Sequence, residues 1–258
     1  MPGLTFSSEA AEKLIAAYRA PDMVRQRDVT LQRLNLTPGE RVIDIGCGPG
    51  FLCESMAAAV GPTGRVVGID ISEDMIDFAT KHKSSEAVEY RLASATALPG
   101  EPAQFDVAVS TQVIEYLADV DAALREMARV LRPAGRAFIL DTDFGSWVWH
   151  AADAARMAQV MKGWEMHCAD PQLPRTLIPR LRAAGFTIVH VEGYPIVNTT
   201  YRPGDFSHGL SQLIANFLLT RGFERDVIDA WLADLSRTEH RRASFFSLNR
   251  YFFNVEKS

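Results

Sequence analysis

The stretch RVIDIGCGPGF, residues 41–51, constrains this chain more than any other. An apolar run, Val42, Ile43 and Ile45, encloses a single acid, Asp44, and runs into glycines at 46, 48 and 50. Side chains are given up at three alternate positions where the backbone must turn sharply or where something must approach it closely. The apolar run reads as a buried strand, and the residues after Gly50 read as a helix. A glycine turn between strand and helix lies at the carboxyl edge of a parallel sheet, where such folds bind ligands.

The rest of the chain supports that sheet. RVVGID (65–70) reads as a second strand and leads into a helix from Ser72, a good N-cap followed by Glu73 and Asp74. Strands are expected over about 88–93, 105–110, 136–142 (RAFILDT), 186–191 and 245–255. Helices are expected over 8–19, 22–34, 50–59, 120–131, 176–184, 206–220 and 224–236. Pro21 divides the first two helices, and Pro133 with Gly135 stops the helix at 120–131. Strands alternating with helices imply an α/β fold with helices on both faces of the sheet. Residues 143–173 and 193–243 break the rhythm and read as insertions at one end of the sheet. They carry Phe144, Trp147, Trp149, His150, Trp164 and His167, which suit either a packed core or a cap over a site.

Bulk properties exclude several classes. With 258 residues, 47% of them hydrophobic, the chain can bury a large core without metal or disulfide support. Three cysteines, Cys47, Cys53 and Cys168, form no regular framework and suggest a reducing, cytoplasmic setting. Neither a signal peptide nor a membrane span is expected. The net charge is −5 and basic residues are scattered, which disfavours a nucleic-acid partner. His167-Cys168-x-Asp170 lacks a second cluster at ligand spacing, so no metal is expected.

The glycine loop departs from both phosphate-binding patterns. A dinucleotide fingerprint needs a third glycine where Phe51 stands, and a phosphate loop needs Lys followed by Ser or Thr. Asp70, twenty residues after Gly50, ends the second strand and can accept both hydroxyls of a ribose. It can equally cap the next helix. The first alternative points to a nucleoside-bearing ligand without a pyrophosphate.

VIDIGCGPG, VVGIDISEDMIDFA, SATALP, FDVAVSTQVIEYL and REMARVLRPAGRAFI follow one another in this order. Together they resemble the class I S-adenosylmethionine-dependent methyltransferases, in particular the small-molecule branch related to ubiquinone- and menaquinone-biosynthesis enzymes. The likeness is strong over about 38–142 and loose over 174–192. It implies a Rossmann-like sheet, mostly parallel with an antiparallel last strand, carrying helical cap insertions. The implied layout is a single domain, 1–258: an N-terminal helical lid (1–37), a cofactor-binding core (38–192), caps at 143–173 and 193–243, and a final strand (244–258). It implies S-adenosylmethionine as cofactor and S-adenosylhomocysteine as product. Gly46, Gly48 and Gly50 would admit the methionine part, Asp70 the ribose, and Ile71 and Met75 the adenine. Ser94 replaces the acid usual before Ala95 in this family, which weakens that contact to the adenine amine and leaves the Ala95 amide. Thr111 and Gln112 would flank the methionine near sulfur. Tyr18 and Arg27, or Arg25 in its place, could reach the cofactor carboxylate; a surface role suits either arginine as well.

A sulfonium methyl is already activated, so alignment and exclusion of water are the main demands on the protein. Aromatic-rich caps suit a cationic donor and a lipophilic or ring-bearing small-molecule acceptor. A hydroxyl or ammonium acceptor needs a general base. His150 and His167 are the candidates, with Asp143 and Tyr201 behind them; either histidine also fits a surface or core role. A catalytically silent cofactor-binding scaffold, a nicotinamide oxidoreductase and an RNA or protein methyltransferase are the alternatives. Phe51 opposes the oxidoreductase, and the acidic balance and STQV after the fourth strand oppose the last.

Overall fold

The computed structural model describes residues 18–258. The helix expected over 8–19 lies almost wholly outside them.

Helix α1 (Pro21–Leu34) places Pro21 in its first turn, where a missing N–H is harmless, and closes on Asn35 in the left-handed region at φ 43°. Strands and helices then alternate: β1 (Arg41–Ile45), α2 (Phe51–Val60), β2 (Arg65–Asp70), α3 (Glu73–Lys81), β3 (Val88–Leu92), β4 (Phe105–Thr111) and α4 (Val120–Val130). After these come β5 (Leu131–Trp149), α5 (Ala154–Trp164), α6 (Leu177–Ala183), β6 (Phe186–Asn198), α7 (Phe206–Thr220), α8 (Arg225–His240) and β7 (Phe246–Lys257). Side chains mark several helix starts. Ser72 accepts from Met75 N at 3.4 Å, and Asp119 and Asp153 each accept at 2.9 Å from the amide three residues on.

The seven strands order as β3-β2-β1-β4-β5-β7-β6. The first four join β5 in parallel, and β7 runs antiparallel between β5 and β6. Strand order reverses at β1 and β4, so a crevice opens beyond their carboxyl ends. Because β7 is antiparallel, its first residues, not its last, stand at that edge: Arg250 lies opposite Thr142 of β5 and Tyr194 of β6.

One apolar cluster packs α4 and α6 on one face of the sheet, and a second packs α1 and α2 on the other. A third joins α5, α7 and α8 to the far ends of β5, β6 and β7. Phe144, Trp147 and Trp164 are buried in this third cluster, so these aromatics form a core of their own. Two strand boundaries correct the sequence expectations. Strand β5 continues past Thr142 to Trp149 across an irregularity between Asp143 and Val148, and β6 continues past Val191 to Asn198. Residues 193–198 pair with β7 throughout, whereas β5 leaves β7 after Asp143 and rejoins it only at Val148 and Trp149, so residues 144–147 bulge out of the ladder.

Candidate active site

The glycine loop is held open by backbone geometry. Gly46, Gly48 and Gly50 take φ of 74°, 51° and 79°, and the Ile69 carbonyl accepts from both Gly46 N and Cys47 N at 2.8 Å. The three glycines differ in what surrounds them. A Cβ on Gly46 would collide with the Val113 side chain, and one on Gly50 with the Tyr90 ring. On Gly48 it would fit without collision, its nearest described neighbours being atoms of the Tyr18 side chain at 3.8 Å. The first and last glycines serve packing, and the middle one leaves a cradle.

Asp70 stands beside that cradle. Its two carboxylate oxygens accept from Gly48 N and Ser72 N, each at 2.9 Å. Burial raises its proton affinity and the backbone amides oppose that. A carboxylate has about four acceptor sites, so two hydroxyls can still be received. The helix-start role and the ligand role are therefore compatible. Next to it Ile71 is 60% exposed, and Leu92 at the end of β3 is 57% exposed. These two large apolar side chains without cover make a platform suited to a flat base. Met75 is buried below, and Ala95 is buried nearby. The Ser94 hydroxyl is engaged locally, 2.9 Å from the Thr96 hydroxyl.

Tyr18 and Arg27 close the other side. The Arg27 guanidinium donates to the Tyr18 carbonyl at 2.5 Å and sits 5.2 Å from the ring centre of Phe51, the first residue of α2. Burial depresses the Arg27 pKa. Arg25 instead faces solvent, paired with Asp22 at 3.5 Å, and takes no part. Burial pushes the Tyr18 phenol up to about 12, helped by Asp70 and opposed by Arg250, so its ring lies in the field of both.

The structure also gathers a polar cluster that the sequence did not announce. Gln112 is held at φ 60°, a conformation seldom adopted away from glycine, and its amide donates to the Leu140 carbonyl at 2.7 Å. Its Oε1 accepts from the Thr142 hydroxyl at 2.8 Å, and that hydroxyl accepts from Arg250 Nε at 3.3 Å. Arg250 also donates to Gln26 Oε1. Glu115 accepts from Thr142 N at 2.7 Å, and Asp141 accepts from Val113 N at 3.1 Å. Each of these fully buried carboxyls keeps one oxygen, Glu115 Oε1 and Asp141 Oδ2, with no hydrogen-bond partner among the described residues. Burial lifts Glu115 to about 7, and burial together with the neighbouring Glu115 raises Asp141 well above the usual carboxylate range. The sequence signal, visible in retrospect, was a lone charge inside an apolar run: Glu115 in STQVIEYL, Asp141 in RAFILDT and Arg250 in FFSLNRYFFNV.

The two histidines lie elsewhere. His150 is exposed at the outer end of β5, its amide bonded to the Phe245 carbonyl at 2.9 Å, beside a surface groove of about 490 Å³ between β5 and α5. None of the groove's lining residues belongs to the glycine loop, so His150 is not brought to the cradle. His167 is fully buried, stacked on Trp164 at 3.8 Å, with Nδ1 bonded to the Trp164 carbonyl at 2.5 Å. Burial lowers its pKa to about 4, which leaves it a weak proton acceptor at neutral pH. Asp143 is consumed by Arg175, at 2.9 Å, and the Tyr201 hydroxyl by Ser211, at 2.6 Å. Thr111 ends β4 beside Gln112, half-buried. Among the described residues no group of three His, Cys, Asp or Glu could hold a metal ion, and no helix is long and apolar enough to cross a membrane.

Comparison with known proteins places this arrangement. A family described as methyltransferase domain matches residues 36–187. The chain is 35% identical over 168 residues to an uncharacterised 37.1 kDa protein of a Streptomyces fradiae transposon, covering 63% of this chain and 48% of that one. It is 37% identical over 111 residues to the ubiquinone biosynthesis O-methyltransferase of Bartonella tribocorum, covering 42% and 44%. It is 31% identical over 131 residues to the demethylmenaquinone methyltransferase of Lactococcus lactis, covering 50% and 51%. The chain thus spans about half the length of these curated relatives. In fold it is similar to phosphoethanolamine N-methyltransferase 2 of Haemonchus contortus in complex with S-adenosylhomocysteine, with TM-score 0.64, 18% identity, and coverage of 97% and 57%. It is also similar to the cyclase SpnF, with TM-score 0.58, 22% identity, and coverage of 90% and 80%.

Proposed function

The chain belongs to the methyltransferase-domain family, and from that premise we propose that it transfers the methyl group of S-adenosylmethionine to a small, ring-bearing or lipophilic acceptor by in-line displacement. The observation that carries this is the cradle at Gly48, bounded by Tyr18 and gripped from below by Asp70. The curated relatives named for quinone biosynthesis support a small acceptor.

When bound, the cofactor supplies a methyl already activated by positive sulfur. The chain's residues do the rest. Asp70 would hold the ribose hydroxyls, Ile71 and Leu92 would cover the adenine, and Gly48 would let the backbone approach the amino-acid part. Arg27 would neutralise the carboxylate, and Thr111 and Gln112 would flank the sulfur. The acceptor enters over the polar cluster. The methyl would pass to the acceptor's attacking atom with the carbon–sulfur electron pair left on sulfur, and Glu115 Oε1 would receive the proton that a hydroxyl acceptor releases. A buried carboxylate with proton affinity near neutrality suits that task. The three cysteines are all free and buried, which fits a reducing, cytoplasmic setting. The scattered surface charge fits an acceptor other than nucleic acid.

Titration calorimetry with S-adenosylhomocysteine tests the donor site, and transfer of labelled methyl to a panel of phenols and hydroquinones tests the reaction. Heat with the ligand together with a methylated product supports the proposal. No heat from folded protein overturns it, and binding without product favours the silent scaffold. The structural likeness to a cyclase is the reason to run both arms, since fold alone does not choose the reaction.

A further inference from the structure

We propose that Arg250 is an anchor for an acidic acceptor: the second substrate is a small aromatic or conjugated acid whose carboxylate is held by this guanidinium. The inference rests on the methyl-transfer reading above and names the acceptor class for that site.

Arg250 is 5% exposed, yet among the described residues no carboxylate lies within ion-pair distance of it. A buried cation without a paired anion is strongly disfavoured. Its recorded partners are uncharged: Gln26 Oε1, the Thr142 hydroxyl at 3.3 Å and the Met23 sulfur at 3.7 Å. A guanidinium has five N–H donors in a planar fork that matches a carboxylate. Nε and one terminal nitrogen are engaged, and no bond to a described residue is recorded for the other terminal nitrogen, Nη2. Glu115, whose charge acts on Arg250, has one carboxylate oxygen turned to the Thr142 amide.

The surroundings suit a ring. The guanidinium lies 5.1 Å from the centre of the Phe206 ring, and Tyr194 sits opposite Arg250 across the β6–β7 pair. The anchor is also tied to the donor side: Arg250, Thr142 and Gln112 form one hydrogen-bonded chain ending beside Thr111. Tyr18, over the Gly48 cradle, lies in the field of both Asp70 and Arg250. An acid held at Arg250 would therefore reach toward the donor with its far end, so the carboxylate orients and another atom reacts.

The test uses native protein saturated with S-adenosylhomocysteine, titrated with 4-hydroxybenzoate and cinnamate and with the corresponding neutral amides. The acids should bind at least tenfold tighter than their amides. Arg250→Gln, titrated under the same saturation with S-adenosylhomocysteine, should abolish that preference, and Arg250→Lys should keep part of it. Equal binding of acid and amide by native protein, or no binding of either acid, overturns the inference while the donor site stands. If Arg250→Gln does not fold, the native comparison and the lysine variant decide. Loss of S-adenosylhomocysteine binding by the native protein would instead strike the methyl-transfer reading itself.

Discussion

Gly48→Ala separates the ligand role of the glycine loop from its folding role. A non-glycine residue in the left-handed region costs about 1–2 kcal/mol. Gly48 has φ 51°, and the added methyl would meet nothing closer than Tyr18 at 3.8 Å, so backbone strain is the whole folding cost. For a chain of this size each kcal/mol lowers Tm by about 2–4 °C, which predicts a fall of about 2–8 °C. The same methyl fills the cradle, and affinity for S-adenosylhomocysteine should fall at least ~10-fold, about 1.4 kcal/mol. Gly222→Ala is the matched control. It has φ 83°, no atom within 4 Å of the added methyl, and a place after α7 rather than in the loop. Thermal unfolding followed by circular dichroism should show similar losses for both variants. Calorimetry should show weakened binding for Gly48→Ala alone. If Gly48→Ala binds within twofold of native protein, the cradle at Gly48 is not the cofactor's place.

Three further outcomes follow from the geometry. Asp70→Asn should weaken S-adenosylhomocysteine binding by about 10- to 100-fold, the usual worth of hydrogen bonds to a charged group, with calorimetry as the check. If Glu115 accepts the proton, kcat/KM should rise as pH increases through about 7, and Glu115→Gln should lower it ~100-fold and remove that rise; an unchanged profile refutes the assignment. His167 binds its proton in the folded state only below about 4, whereas the unfolded chain takes one up near 6.5. Its contribution to stability is therefore complete above about 6.5 and lost as pH falls toward 4, amounting to roughly 2 kcal/mol at pH 5. Urea unfolding at pH 8 and pH 5 should show that loss in native protein and not in His167→Phe. Asp44, which burial lifts to about 7, slopes the other way but is common to both proteins and cancels.

The glycine turn and the end of the second strand were legible because their signals are local. Three glycines within five residues and an acid closing the second strand each report on a backbone turn or strand end a few positions long. Helix α1 and the cap at Ser72 follow from side chains next to the turns they stabilise. Strand lengths were less legible. Residues 148–149 and 193–198 carry mixed polar and apolar side chains, and they are strands because β7 offers both a partner. The histidines misled for a related reason. Their residue type suggests proton transfer, but burial against Trp164 takes the basicity from His167, and the length of β5 carries His150 to the surface.

By itself, the sequence determined where the chain turns, where its first strands end and which bare backbone a nucleoside ligand could approach, because each depends on neighbours along the chain. Tertiary structure alone decided the polar cluster around Arg250 and Glu115. Gln26 and Arg250 meet across 224 positions, and Glu115 and Thr142 across 27. The antiparallel direction of β7 is what brings a residue near the chain's end to the carboxyl edge of the sheet. No local pattern encodes that contact; it exists once seven strands have taken their order.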